Sequence, residues 1–150
     1  MEFRVRKWKK GVTLRVSSHL SLMERVTDEC RAYFNEVPAH QMRDLTVVLQ
    51  ELVGNAILHG NQRLPDRRVT CMVETSPDGS IKAVVEDEGH GWDWGELDEC
   101  LPEDPKLLLD HGYGLVKSVC DRVEFNDKGN RVAVRISADS EEGPVPVSRR

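Results

Sequence analysis

Two periods of apolar residues run through this chain. Between Leu45 and Ile57 the apolar positions Leu45, Val48, Leu49, Leu52, Val53, Ala56 and Ile57 recur at steps of three and four, the signature of a helix with one buried face. Pro38 separates this helix from what precedes it, so it starts near Ala39, and Gly60 reads as its C-cap. An earlier run with the same step, Leu22, Met23, Val26, Cys30, Tyr33, Phe34 and Val37, predicts a first helix over about 22–36. Ser21 and Glu24 at its start have the spacing of a capping box. A short third helix is expected from Leu115, Val116, Val119 and Cys120.

The other period is two. Phe3 to Trp8 and Val12 to Val16 alternate apolar and polar around the turn Lys9-Lys10-Gly11, which predicts a hairpin of half-buried strands. Val69, Cys71 and Val73, then Ile81, Ala83 and Val85, flank the turn Pro77-Asp78-Gly79. Val123 and Phe125, then Val132, Val134 and Ile136, flank Asp127-Lys128-Gly129-Asn130. Strands buried on both faces read as continuous apolar runs, whereas alternation leaves one face wet. The expected fold is therefore α+β: a two-layer sandwich, with helices on one face of a mixed, mostly antiparallel sheet. One domain spans 1–137, and 138–150, without a usable period, is expected to be a disordered tail.

Composition narrows the class. With 150 residues there is enough surface to bury one core. A net charge of −5 argues against general nucleic-acid affinity. No apolar run reaches membrane-spanning length and the N-terminus lacks a signal-peptide core, so a cytoplasmic protein is expected. Cys30, Cys71, Cys100 and Cys120 have neither metal-ligand nor redox spacing, and are read as reduced thiols. Charge is uneven. Arg4, Arg6, Lys7, Lys9, Lys10 and Arg15 face only Glu2 in the first fifteen residues, while acids crowd 86–110, where Lys106 is the lone base. Such a dipolar surface steers a protein partner, and the basic N-terminal strand is a candidate for partner or homodimer contacts.

Three stretches carry candidate chemistry. Glu51 and Asn55 lie one turn apart at the edge of the apolar stripe. Their hard oxygens suit Mg²⁺, which usually takes one or two protein groups and substrate phosphates. Asp87-Glu88-Gly89-His90-Gly91 follows directly on the strand ending at Val85. Its carboxylate can only accept, which suits an exocyclic amino group such as that of adenine, and its glycines admit a flat ring or a close turn. His111-Gly112-Tyr113-Gly114-Leu115 precedes a helical period, so backbone N–H groups there suit phosphate. No Gly-Lys-Ser/Thr follows, so this is not a P-loop, and no strand leads directly into it, so it is not a dinucleotide-binding fingerprint. Taken singly, each stretch is also compatible with a plain core helix, an acidic turn and a glycine turn.

In this fixed order, the stretches Glu51–Asn61, Asp87–Gly91 and Gly112–Leu115 resemble the N, G1 and G2 boxes of the Bergerat-fold ATPases, the GHKL superfamily. The Glu-Leu-Val-Gly-Asn-Ala-Ile-Leu-His-Gly-Asn stretch, the short chain and the missing F box are most similar to the anti-sigma-factor serine/threonine kinases. The resemblance covers about residues 12–137. It implies ATP and Mg²⁺ as ligands, with Asn55 binding the metal and Glu51 acting as general base or orienting a serine hydroxyl. Asp87 would accept from the adenine amino group, with Gly89 and Gly91 beside the base. Gly112, Tyr113, Gly114 and Leu115 would offer amides to the phosphates, and Trp92 to Asp110 would form a lid. It implies two partners: a sigma factor, sequestered, and a STAS-type antagonist, phosphorylated. The stretch Gly129–Ala133 lacks the threonine common in the family near the adenine pocket, and the lid is acidic. Two alternatives stay open: a nucleotide-dependent partner switch without chemistry, and an ATPase domain for histidine phosphotransfer.

Overall fold

Alternating residues build a sheet, and the helical stripes cover one side of it. The computed structural model describes residues 1–89 and 113–138. Its elements are β1 (Phe3–Trp8), β2 (Gly11–Ser17), α1 (Met23–Tyr33), α2 (Ala39–Asn55), β3 (Arg68–Thr75), β4 (Ile81–Glu86), α3 (Tyr113–Val119), β5 (Arg122–Phe125) and β6 (Arg131–Ile136). The strand order is β1-β2-β3-β4-β6-β5, and every pairing is antiparallel. This is the expected two-layer α+β architecture.

The register sets apolar rows across the sheet. Val12, Val73, Ala83 and Val134 form one row, and Leu14, Cys71, Val85 and Val132 the next. All eight are buried. Leu45, Val48, Leu49, Leu52, Val53, Ala56 and Ile57 of the α2 stripe are buried against them. Helix α2 also packs on α1 and α3, so it is the spine of the helical layer. At Gly54 a Cβ would stand 3.2 Å from the Met23 side chain, so a small residue there lets α1 come close. Cys30, Cys71 and Cys120 are buried free thiols. Burial pushes Cys30 and Cys120 up to about 12 and Cys71 upward too, so they act as small apolar groups.

Two helix boundaries differ from the sequence reading. The capping box does not form: α1 is entered from a 3-10 turn, Leu20–Leu22, and its N-cap position, Leu22, makes no side-chain cap hydrogen bond. The Met23 N–H donates to the Leu20 carbonyl instead, so the 3-10 turn before the helix takes up a first-turn donor that the Ser21 hydroxyl could have met. The helix also stops at Tyr33, not near 36. Phe34 leaves the helical region at φ −100°, ψ 46°, and Val37 precedes Pro38, which disfavours helical backbone there.

Gln41, fully buried in the first turn of α2, donates through Nε2 to the carbonyls of Gly79, at 2.9 Å, and Ile136, at 3.3 Å. It pins the start of α2 to the β3–β4 turn. In that turn the Asp78 carboxylate accepts from the Ser80 N–H at 2.9 Å and from the Ser80 hydroxyl at 2.6 Å, and meets the Arg135 guanidinium. The Ser80 hydroxyl first, then the Ser80 amide and Arg135, hold the Asp78 carboxyl down at about 2, from an ordinary 3.8.

Two outcomes follow from this packing. Leu49→Ala lowers the unfolding free energy by about 2–5 kcal/mol, measured by urea denaturation. The folded pKa of Asp78 is below its unfolded value, so its contribution is present above pH 3.8 and is lost as pH falls toward about 2. Asp78→Asn therefore flattens the acid limb in that window, read from denaturation midpoints against pH.

Candidate functional site

Helix α2 does not end at a left-handed glycine. It passes into one wider turn, Ala56–Gly60, with π geometry: the Asn61 N–H reaches back five residues to the Ala56 carbonyl at 2.7 Å. The left-handed residues that stop the chain are Gln62 and Arg63, with φ of 53° and 59°. Gly60 is therefore not a C-cap. It is needed for a different reason. A Cβ at Gly60 would overlap the Asp87 carboxylate, and a Cβ at Gly89 would overlap the Gly60 carbonyl. Single π turns inside helices occur often at functional sites, and this one brings the end of the helix onto the end of β4.

The turn after β4 is held on every side. Asp87 donates its N–H to the Asn130 carbonyl, and the Asn130 amide donates to the Asp87 carbonyl, both at 2.9 Å. The Asp87 carboxylate accepts from the Gly89 N–H at 2.8 Å. Asn126 in turn accepts from the N–H groups of Gly129, Asn130 and Arg131 and donates to the Asn130 side chain. Burial is the main influence on Asp87 and raises its pKa. The Gly89 amide opposes it, Glu86 adds to it, and Lys128 and Arg67 oppose it more weakly. For a carboxylate partly withdrawn from water, each hydrogen bond it accepts offsets part of the cost of burying its charge.

Asn61 closes the other side. It is fully buried. Its Nδ2 donates to Ser18 Oγ at 2.8 Å and to the Arg68 carbonyl at 2.9 Å, and its Oδ1 accepts from the Glu88 N–H at 2.8 Å. Ser18 donates onward to the Arg67 carbonyl at 2.7 Å. The Arg68 N–H donates to the Glu88 carboxylate, and Arg68 Nε meets Glu2 Oε1 at 2.5 Å. The ends of β2, β4 and α2 and the start of β3 thus meet at one end of the central strands.

Glu51 and Asn55 sit upstream on α2, one turn apart and half-buried. Tyr113, Gly114 and Leu115 form the first turn of α3, where N–H groups have no partner within the helix. Gly114 and Leu115 are exposed, and Val116 is buried beneath them. The structure therefore joins Asp87 and Gly89 directly to the end of the helix that carries Glu51 and Asn55, and sets α3 against that same helix. Gly91, Gly112 and the segment from Trp92 to Asp110 lie outside the described residues. Asn61 and Asn130 were missed in the sequence. Asn61 closes the Glu51–Asn61 stretch with no role of its own assigned, and Asn130 was read as a turn residue. Nothing local marks either as a clamp on Asp87.

The family model described as a histidine kinase-like ATPase domain matches residues 13–136. No curated protein matches the chain. Among solved structures, the histidine kinase domain of the blue-light activated histidine kinase from Erythrobacter litoralis EL346 is similar at a TM-score of 0.53 and 16% sequence identity. The match covers 81% of this chain and 62% of that one. At that identity the likeness is one of fold.

Two variants test the site's construction. Gly60→Ala forces the π turn and Asp87 apart and destabilises the protein by about 1–3 kcal/mol, measured by chemical denaturation. Because burial raises the Asp87 pKa, its charged form is disfavoured in the fold. The stabilisation by the neutral form is present at low pH and is lost as pH rises through the folded pKa. Asp87→Asn should therefore raise the thermal midpoint relative to the parent at pH 7, and that advantage should shrink as the pH is lowered through the carboxylate range.

Proposed function

The chain belongs to the histidine kinase-like ATPase family of the GHKL superfamily and so carries an ATP-binding domain; from that premise we propose that it is a serine/threonine protein kinase of the anti-sigma-factor type. The observation that supports this most is Glu51, one turn before Asn55, on the helix whose end is locked onto Asp87. A base and a phosphate-side oxygen ligand then share one helix, and a base-reading carboxylate sits against the end of it.

In this reading Asp87 accepts from the amino group of adenine, with Gly89 and Gly91 giving the ring room. The amides of Gly112, Tyr113, Gly114 and Leu115 take the phosphates. Asn55 contributes an oxygen to the Mg²⁺ carried by those phosphates, which neutralises their charge. The donor chemistry fits that use: Asn55 carries a hard amide oxygen one turn from the Glu51 carboxylate, and Mg²⁺ is commonly held by one or two protein oxygens and phosphates. Glu51 accepts the proton of an incoming serine hydroxyl, or orients it. Phosphoryl transfer asks mostly for positioning and charge neutralisation.

The substrate in this proposal is a STAS-type antagonist, and the protein held back is a sigma factor, with the chain acting in the cytoplasm. The open edge strand β1 supports a protein partner: Arg4, Arg6 and Lys7 are exposed along it, and Lys9 and Lys10 follow. An acidic partner surface, or a second copy of the chain, is the corresponding contact. Among the described residues no helix is long and apolar enough to cross a membrane.

Transfer of labelled phosphate from ATP to serine on a candidate antagonist tests the reading. Glu51→Gln should lower the transfer rate by about 10²–10⁴-fold and leave ATP affinity, measured by calorimetry, close to that of the parent. Asp87→Asn should lose ATP binding itself. Partner release by ATP that persists unchanged in Glu51→Gln would instead favour a switch without chemistry.

A further inference from the structure

The candidate site holds Asp87 from two sides, and the two holds differ in kind. Asn130 grips the backbone of Asp87 from the β6 side. Asn61 grips the next residue, Glu88, from the α2 side. Its side chain uses both amide hydrogens and its oxygen, on Ser18, Arg68 and Glu88, and has no exposed surface. A buried amide with every group engaged is rigid, because any rotation leaves a polar group unpaired. Its own N–H closes the π turn onto Ala56. One residue therefore ties the pitch of the helix end to the height of the Asp87 turn.

Position is what such a tie controls. Adenine offers an amino donor where guanine offers a carbonyl acceptor. A carboxylate fixed opposite that atom accepts from adenine and repels guanine. The same carboxylate, free to slide along the ring edge, meets the N–H and amino donors of guanine and accepts from both. Discrimination between the bases then depends on how firmly the carboxylate is held, more than on its presence.

We propose that Asn61 is a positioning residue that sets purine selectivity at this site, by holding the Asp87–Gly89 turn at the height where only an adenine amino group is accepted. This rests on the reading that Asp87 grips the base. Asn61 touches no nucleotide in it and acts through Glu88 and Asp87.

The test uses the full chain with Mg²⁺, titrated by calorimetry with ADP and with GDP, for the parent, Asn61→Ala and Ser18→Ala. The parent should prefer ADP. In Asn61→Ala the ratio of the two affinities should fall about tenfold, the size of one lost buried hydrogen bond. Ser18→Ala removes one anchor of the Asn61 amide without touching the turn. It should shift the ratio in the same direction by less, and it carries the test if Asn61→Ala does not fold. Affinities for both nucleotides that fall by one common factor, with the ratio unmoved, would assign Asn61 a merely structural role and overturn the proposal. A parent that binds no ADP, or binds ADP and GDP alike, overturns the reading of Asp87 itself, which separates the two failures.

Discussion

One close contact organises this molecule: the backbone of Gly60 against the carboxylate of Asp87. Neither Gly60 nor Gly89 could carry a side chain there without overlap. The approach lets a helix end and a strand end share one boundary with no layer of side chains between them. It also withdraws the carboxylate partly from water, and burial is the first cause of its raised pKa. A fold that only needed stability would gain by neutralising this position.

The contact is possible because α2 is fixed at both ends. Gln41 ties its first turn to Gly79 and Ile136, and Asn61 ties its last to Ser18, Arg68 and Glu88. Between them the stripe from Leu45 to Ile57 is buried on the sheet. The helix therefore runs alongside β4 in the same direction, from the β3–β4 turn to Asp87. Glu51 and Asn55, on the flank of this fixed rod, inherit its position. Rigid elements hold side chains in place more closely than loops do.

Charge is arranged around the same end of the sheet. Glu2 meets Arg4, Arg15 and Arg68, and the Arg68 amide meets Glu88. The first strand is thus joined to the Asp87 turn by a chain of ion pairs and hydrogen bonds. Exposed pairs of this type contribute little stability singly, but here they share one arginine with the turn. Family membership gives the ATP-binding domain. The protein partner and the phosphorylated residue belong to the proposal.

Much of this was legible in the amino-acid order. A two-residue period placed β1 to β6, because a half-buried strand must alternate. A three-to-four period placed α2 and its buried stripe, because only one face of that helix meets the sheet. The three glycine- and acid-bearing stretches were legible because each is a local pattern next to a predicted element. The first turn of α1 was misread, because a preceding 3-10 turn satisfied a donor that the capping pattern assigned to Ser21. Gly60 was misread as a stop signal, since a glycine after a helix looks the same whether it bends the backbone or makes room for a neighbour. Asn61 bonds residues 43 and 27 positions away, and Asn130 bonds one 43 away. The sequence by itself determined which elements form and which faces they bury, because those follow from spacing between near neighbours. Only the tertiary structure decided that Gly60, Asn61, Asp87 and Asn130 form one clamp, because close packing and buried hydrogen bonds depend on distances in space that no local pattern encodes.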